Sequence, residues 1–234
     1  MAAYFATSSD YLSPPRLWGT DLARPPVSYM CWVKPDSIAA GERILVSYGV
    51  GSASGARCLL AISAANPLFR YNFDLSNASA SAGNAQVAGE WSFICGSLSN
   101  LGTAHRGRLQ QRDYQFTHAA DWNQVTAINP WTTGHEFRVA GYSASTVAIA
   151  HVAVWKCGLS HREMNALYRG GAHPMDIRPD ALLEYWPLAH QSGPLVYEGE
   201  VYGTRLVPNG SVTSVEDPSV LFSPRGASST ILVI

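Results

Sequence analysis

Short runs of β-branched and aromatic residues, broken by Gly, Pro, Asn and Ser, recur along most of the chain, and that spacing predicts strands. Val27-Ser-Tyr-Met-Cys-Trp-Val33 reads as one, closed by Pro35, which has no N–H for a ladder. Segments 42–48, 57–63 and 68–73 follow at the spacing of a meander. In Gly89-Glu-Trp-Ser-Phe-Ile-Cys95 the alternation puts Trp91, Phe93 and Cys95 on one face, with Ser92 on the other. Segments 136–142 and 146–156 complete the main set. Ala148, Ala150 and Val152 to Trp155 leave the last of these apolar on both faces, so it is predicted to run centrally in a sheet.

One segment reads as a helix. In Leu159-Ser-His-Arg-Glu-Met164, Ser160 is placed to cap the first turn while Glu163 reaches back, and Leu159 and Met164 stand where a hydrophobic staple packs. Gly170 and Gly171 are the expected left-handed stop. Many strands and one helix of about ten residues predict an all-β sandwich. No internal repeat of solenoid or propeller period is present.

The pattern changes at Gln191. Residues 209–217 are polar, Pro218 and Pro224 interrupt, and 226–230 resemble a linker before the chain ends on Ile231-Leu232-Val233-Ile234. The division is therefore 1–190, a sandwich domain, and 191–234, an extended tail or arm. The apolar end is either a last strand on its own sheet or an arm for a neighbour's sheet edge, since bare β-prone residues invite pairing.

Charge sharpens the picture. Only 14% of the 234 residues are charged and the net charge is −1, with Ser, Thr, Gly and Ala filling the surface instead. Such a surface lacks the basic surplus that phosphate backbones demand, and no apolar run reaches the ~20 residues that span a bilayer. Neither nucleic acid nor membrane is an expected partner. Residues 1–10 carry neither a basic start nor an apolar stretch, so folding in the cytoplasm is expected. Cys31, Cys58, Cys95 and Cys157 are widely spaced and are expected as reduced, structural thiols.

Taken in order, Tyr29-Met-Cys-Trp-Val-Lys-Pro35, Gly89-Glu-Trp91, Val139-Ala-Gly141, Ile149-Ala-His-Val-Ala-Val-Trp155, Leu159-Ser160 with Glu163, Leu167-Tyr168 with Gly170, and Leu183 to Leu188 resemble the laminin-G-like, or concanavalin A-like, jelly-roll superfamily. The resemblance covers roughly residues 1–190 and implies two antiparallel sheets with one short helix. It does not fix a function, because that fold hosts lectins, glucanases, adhesion modules and virion proteins. The overall architecture is also similar to stand-alone proteins of tailed-phage virions.

Catalytic chemistry is not expected. Glucanases of this superfamily cluster carboxylates on one strand, one nucleophile and one acid. Here Asp74, Glu90, Asp113, Asp121, Glu136 and Glu184 are scattered, and no Ser stands in a GxSxG elbow. Asp74 with Asn77, or Asp121 with Asn123, read as surface turns rather than calcium loops, so no metal and no cofactor is expected. His151 reads as a hydrogen-bonded core residue, while His105 and His118 are assigned nothing. Trp32, Trp91, Trp155 and Trp186 are expected in the core. Trp18, Trp122 and Trp131 are the candidates for stacking on a glycan. Arg106, Arg108 and Arg112 share strand parity with Gln110 and, with Ile231, Leu232, Val233 and Ile234, are the candidates for docking on protein.

Two functions are expected to compete. The first is a non-catalytic virion structural protein, a capsid decoration or other head-surface component that assembles as a homo-oligomer with the major capsid protein or another virion protein. The second is a carbohydrate-binding, lectin-like adhesion module of a tail fibre or cell surface.

Overall fold

In a computed structural model the chain is described over residues 2–14, 26–38, 42–49, 56–63, 66–73, 76–81, 86–100, 105–111, 114–120, 136–141, 146–169, 172–188, 197–216 and 218. The strands are β1 (Ala2–Phe5), β2 (Tyr11–Ser13), β3 (Val27–Pro35), β4 (Glu42–Gly49), β5 (Ala56–Ser63), β6 (Asn66–Phe73), β7 (Ser76–Ser81), β8 (Ser92–Asn100), β9 (His105–Gln111), β10 (Tyr114–Ala120), β11 (Glu136–Val139), β12 (Val147–Trp155), β13 (Leu182–Trp186), β14 (Tyr197–Glu198), β15 (Arg205–Asn209) and β16 (Thr213–Val215). One α-helix, α1 (His161–Tyr168), and a 3-10 turn at Pro174–Asp176 lie between β12 and β13.

Two antiparallel sheets result. Sheet A runs β10-β9-β8-β3-β12-β1-β16, with β13 also on β12, and sheet B runs β14-β15-β2-β11-β4-β5-β6-β7. Their facing sides form one apolar core in which Phe5, Leu12, Tyr29, Val46, Leu60, Ile94, Phe137, Ile149, Val154 and Trp186 are all buried. Inward and outward residues alternate along each strand because the pleat has a period of two.

Strand β12 is buried at every residue, as its doubly apolar pattern predicts. It pairs along one edge with β3, and shares the other between β1 (Val147 to Ile149) and β13 (Val152 to Trp155). The handover falls at His151, whose φ of +52° marks the bulge. Its Nδ1 lies 2.7 Å from Tyr185 Oη, and its N–H donates to the Pro187 carbonyl at 3.1 Å. His151 is thus a hydrogen-bonded interior residue at a strand junction.

A second apolar cluster lies on the far side of sheet A. Met30, Phe93, Cys95, Ala153 and Trp155, with Leu182 and Tyr185 of the adjacent β13, project outward there and are covered by Leu159, Met164 and Leu167. The helix begins as its sequence predicts: Glu163 N–H donates to Ser160 Oγ at 3.3 Å, and Ser160 N–H donates to Glu163 Oε2 at 2.8 Å. Gly170 and Gly171 lie outside the described residues, and Arg169 is the C-cap. Phe93 and Cys95 therefore face the helix layer, not the inter-sheet core, and Trp91 stands just before β8, half-buried. Burial pushes the Cys31, Cys58, Cys95 and Cys157 thiols up, so they stay protonated and poorly nucleophilic.

The region beyond 191 differs from an extended tail where it is described. Strand β15 pairs with β2 and with β14, and β16 pairs with β1, so residues 197–216 fold back on both sheets. Asp10 helps to hold them: its carboxylate accepts from the N–H groups of Ala6 (3.0 Å), Thr7 (2.8 Å) and Ser211 (2.8 Å). Gly210, at φ +83°, has no side chain because a Cβ there would lie 2.2 Å from Asp10 Oδ1. Ile231 to Ile234 lie outside the described residues.

Candidate functional site

Among the described residues the only α-helix packs on sheet A; on sheet B, β4 is buried from Arg43 to Gly49, and outward positions with some exposure remain on β11, β2 and β15. In β11 the alternation Glu-Phe-Arg-Val sends Phe137 and Val139 into the core and Glu136 and Arg138 outward. In β2, Leu12 is in the core, so Tyr11 and Ser13 share the outer side; in β15, Leu206 is in the core and Val207 and Asn209 are exposed. Register places Asn209 opposite Tyr11 and Val207 opposite Ser13.

These side chains meet. The Arg138 guanidinium sits 3.9 Å from the centre of the Tyr11 ring, close enough for a cation–π contact. Its Nε and Nη2 both donate to Glu136 Oε2, at 2.7 and 2.5 Å, with the two side chains 15% and 28% exposed. Glu136 thus has no second acid at i±2; its partner at that spacing is a base. The Asn209 amide donates to Ser13 Oγ at 3.4 Å. After β11 the backbone turns through Ala140 and Gly141, both at positive φ (+63° and +93°). A Cβ on Gly141 would lie 3.2 Å from that of Tyr11, so the turn backs directly onto the tyrosine. Ala140 is held in its left-handed conformation by an N–H bond to the Leu45 carbonyl at 2.8 Å. The surface closes inward from Arg138, whose register partner Ser47 is buried.

The result is a partly open strip across β15, β2 and β11 that brings together a planar amide, an aromatic ring, a guanidinium and a carboxylate, with the Ser13 hydroxyl buried and holding the Asn209 amide. Such a set can hydrogen-bond several hydroxyls at once. It supplies no nucleophile–base pair. No group of three His, Cys, Asp or Glu able to hold a metal occurs among the described residues.

The residues singled out in the sequence fall elsewhere. Trp18, Trp122, Trp131, Arg112 and Ile231 to Ile234 lie outside the described residues. Arg106 stands on β9 opposite Ser99 and Ala119. Arg108 is half-buried and turned to the chain itself: it donates to Ser99 Oγ at 2.6 Å and to the Leu159 carbonyl at 3.5 Å. Gln110 is fully buried and its amide donates to Asn165 Oδ1 on α1. This side of β9 lies under the helix, so Arg108 and Gln110 serve to dock α1 and do not form an outward basic stripe.

No family model matches the chain, and no curated protein does. Solved structures do match. A provisionally assigned carbohydrate binding protein from Bacteroides ovatus superposes with a TM-score of 0.62 at 13% identity, over 93% of this chain and 61% of that one. The heptameric SAP-like pentraxin of Limulus polyphemus matches at 0.52 and 10% identity, over 88% and 94%. The CBM40 of the Ruminococcus gnavus IT-sialidase, bound to α2,3-sialyllactose, matches at 0.56 and 13% identity, over 71% and 96%. The fold is a concanavalin A-like jelly roll. The chain spans less than two thirds of the Bacteroides ovatus protein's length. None of these neighbours is a phage protein.

Proposed function

We propose that the chain is a non-catalytic carbohydrate-binding domain whose site is the outer strip of β15, β2 and β11. The observation that carries this reading is the Tyr11–Arg138–Glu136 cluster: a ring, a fork and a carboxylate fixed on rigid strands, beside Asn209 and Ser13. Saccharides present vicinal hydroxyls and apolar C–H patches, and planar polar groups next to an aromatic side chain match both. Strand positions hold these groups without ordering on binding. Two of the jelly-roll neighbours carry carbohydrate-binding names, which supports the same class.

Capsid attachment has no comparable support. It rests on low charge, reduced cysteines, a small-residue surface and the apolar end at Ile231 to Ile234, which lies outside the described residues, while the 197–216 segment is engaged with the chain's own sheets.

The test is a printed array of defined glycans probed with the wild-type chain and with Arg138→Ala. Retention of one glycan class by the wild type and its loss in the variant is the expected result. An array on which the wild type retains nothing would overturn the reading.

A further inference from the structure

The turn between β14 and β15 displays an aromatic ring in an unusual way. Tyr202 is 75% exposed, the most exposed large hydrophobic side chain among the described residues. A ring so presented normally sits on a loose loop, yet this loop is held at nearly every backbone donor. Glu184, fully buried on β13, accepts at Oε1 from Val201 N–H (2.7 Å) and at Oε2 from Thr204 N–H (3.0 Å). Tyr202 N–H is shared between the two oxygens at 3.3 and 3.2 Å. Gly199 N–H donates to the Thr204 carbonyl at 3.0 Å and Glu200 N–H to the Tyr185 carbonyl at 2.9 Å. The buried indole of Trp186 donates to the Thr204 carbonyl at 2.7 Å. Val201 packs into the second apolar cluster, so the turn is anchored on one side and Tyr202 is left on the other.

Burying a carboxylate is costly unless its oxygens are fully hydrogen-bonded. A tight turn is ordinarily made by its own Asn, Asp or Gly. Here a carboxylate from another strand is spent on the turn, and Gly199 is required for its approach, because a Cβ there would lie 2.3 Å from the Glu184 carboxyl carbon. The turn's one large exposed apolar group is the tyrosine, next to the exposed Glu200. A rigid tyrosine with only two side-chain torsions loses little entropy on contact, which is why such rings serve as binding platforms.

We propose that the 199–204 turn is a second saccharide contact, with the Tyr202 ring as a stacking platform for the C–H face of a sugar and Glu184 as its positioning residue. This rests on the carbohydrate reading and adds a site to it: Tyr202 follows β14, while Asn209, at the far end of β15, pairs with Tyr11. The two contacts thus lie at opposite ends of β15 and are separable by mutation.

Wild type, Tyr202→Ala, Tyr202→Phe, Glu184→Gln, Arg138→Ala and the Tyr202→Ala/Glu184→Gln double variant are applied to the printed glycan array, and retained oligosaccharides are titrated by calorimetry. Tyr202→Ala is expected to weaken the longer glycans about tenfold, the size of one stacking contact, with an unchanged melting temperature. Tyr202→Phe, which keeps the ring, is expected to bind as the wild type does. Glu184→Gln is expected to weaken binding too, and the double variant to be no weaker than Tyr202→Ala, since a positioning residue acts only through the ring it positions. Additive losses would overturn the role of Glu184. Equal losses for the Phe and Ala variants would overturn stacking. Unchanged affinity in Tyr202→Ala, beside lost binding in Arg138→Ala, would overturn this proposal and leave the strip standing. A wild type that retains no glycan would overturn both.

Discussion

The outer face of sheet A carries Met30, Phe93, Cys95, Ala153 and Trp155, and α1 with Leu159 closes over it. The outer face of sheet B, where β15, β2 and β11 meet, carries Asn209, Ser13, Tyr11, Glu136 and Arg138, with no described helix above. Both faces belong to strands that share one core, so the difference is set by the residues at alternate positions. An apolar outer face must be removed from water at ~25 cal/mol per Å², and the chain supplies a helix to do it. A polar outer face does not need an apolar cover of that kind, and here its side chains satisfy one another through the Arg138–Glu136 and Asn209–Ser13 bonds. The covered face is thus expected to govern stability and the open face binding.

The largest effect is expected on the covered side. Trp155 is fully buried and its indole N–H donates to the Ile177 carbonyl at 2.7 Å. Trp155→Ala should cost about 4 kcal/mol, the range for large aromatic truncation in a core, as measured by urea unfolding. Glycan affinity of the folded fraction should not change. A loss of affinity at full folding would mean that the two faces are coupled.

Asp10 lies at the seam, on the link from β1 in sheet A to β2 in sheet B. Burial pushes its carboxyl up, but the N–H donors of Ser211, Thr7 and Ala6 outweigh this and leave it below the usual carboxylate range. Because the folded value is depressed, its stabilisation is fully present above the unfolded pKa of ~3.9 and is lost as pH falls through the lower folded value. Asp10→Asn is expected to cost about 2 kcal/mol near neutral pH, typical of hydrogen bonds to a charged group. Melting curves from pH 7 downward should show the variant and the wild type converging in acid. A constant gap would assign the loss to packing.

Ser160→Ala is smaller still, about 1 kcal/mol for a lost N-cap, read by thermal melt. It should loosen the cover of sheet A and leave glycan binding unchanged. A binding change at that cost would make α1 part of the site.

The features legible in the sequence are those whose cause is local. The Ser160–Glu163 box needs only neighbours on one helical turn, and the apolar run of β12 announces a central strand without knowledge of its partners. Strands β14 to β16 carry no local signal, because Arg205-Leu-Val-Pro-Asn209 buries one leucine and gains its order from pairing with β2, far away in the chain. The Arg108–Gln110 parity was readable, but not that α1 lies over it. In the site, Glu136 and Arg138 share a face by simple alternation, and that signal was in the sequence. Tyr11 joins them only through the β2–β11 pairing. Glu184 and Tyr202 left no pattern at all, since a nest of backbone N–H groups belongs to the fold and not to any motif.

The smallest stability effect sharpens the comparison most. Arg138→Lys keeps the positive charge beside Glu136, so an ion pair can form again, and such part-exposed pairs are worth about 1 kcal/mol or less. The cation over Tyr11 is also retained, which leaves a change of roughly 0.5 kcal/mol and a melting shift of about 1–2 °C. What lysine cannot replace is the planar fork. Arg138 donates from both Nε and Nη2 to Glu136 and its planar guanidinium lies over the Tyr11 ring, whereas an ammonium is a compact charge on a flexible stem. Glycan affinity measured by calorimetry should therefore fall by tenfold or more while the fold is nearly unmoved. If melting instead fell as far as for Trp155→Ala, Arg138 would be a structural member and the open face would be no different in kind from the covered one. If neither quantity moved, the strip would not be the binding surface, and the contrast between the two faces would concern packing alone.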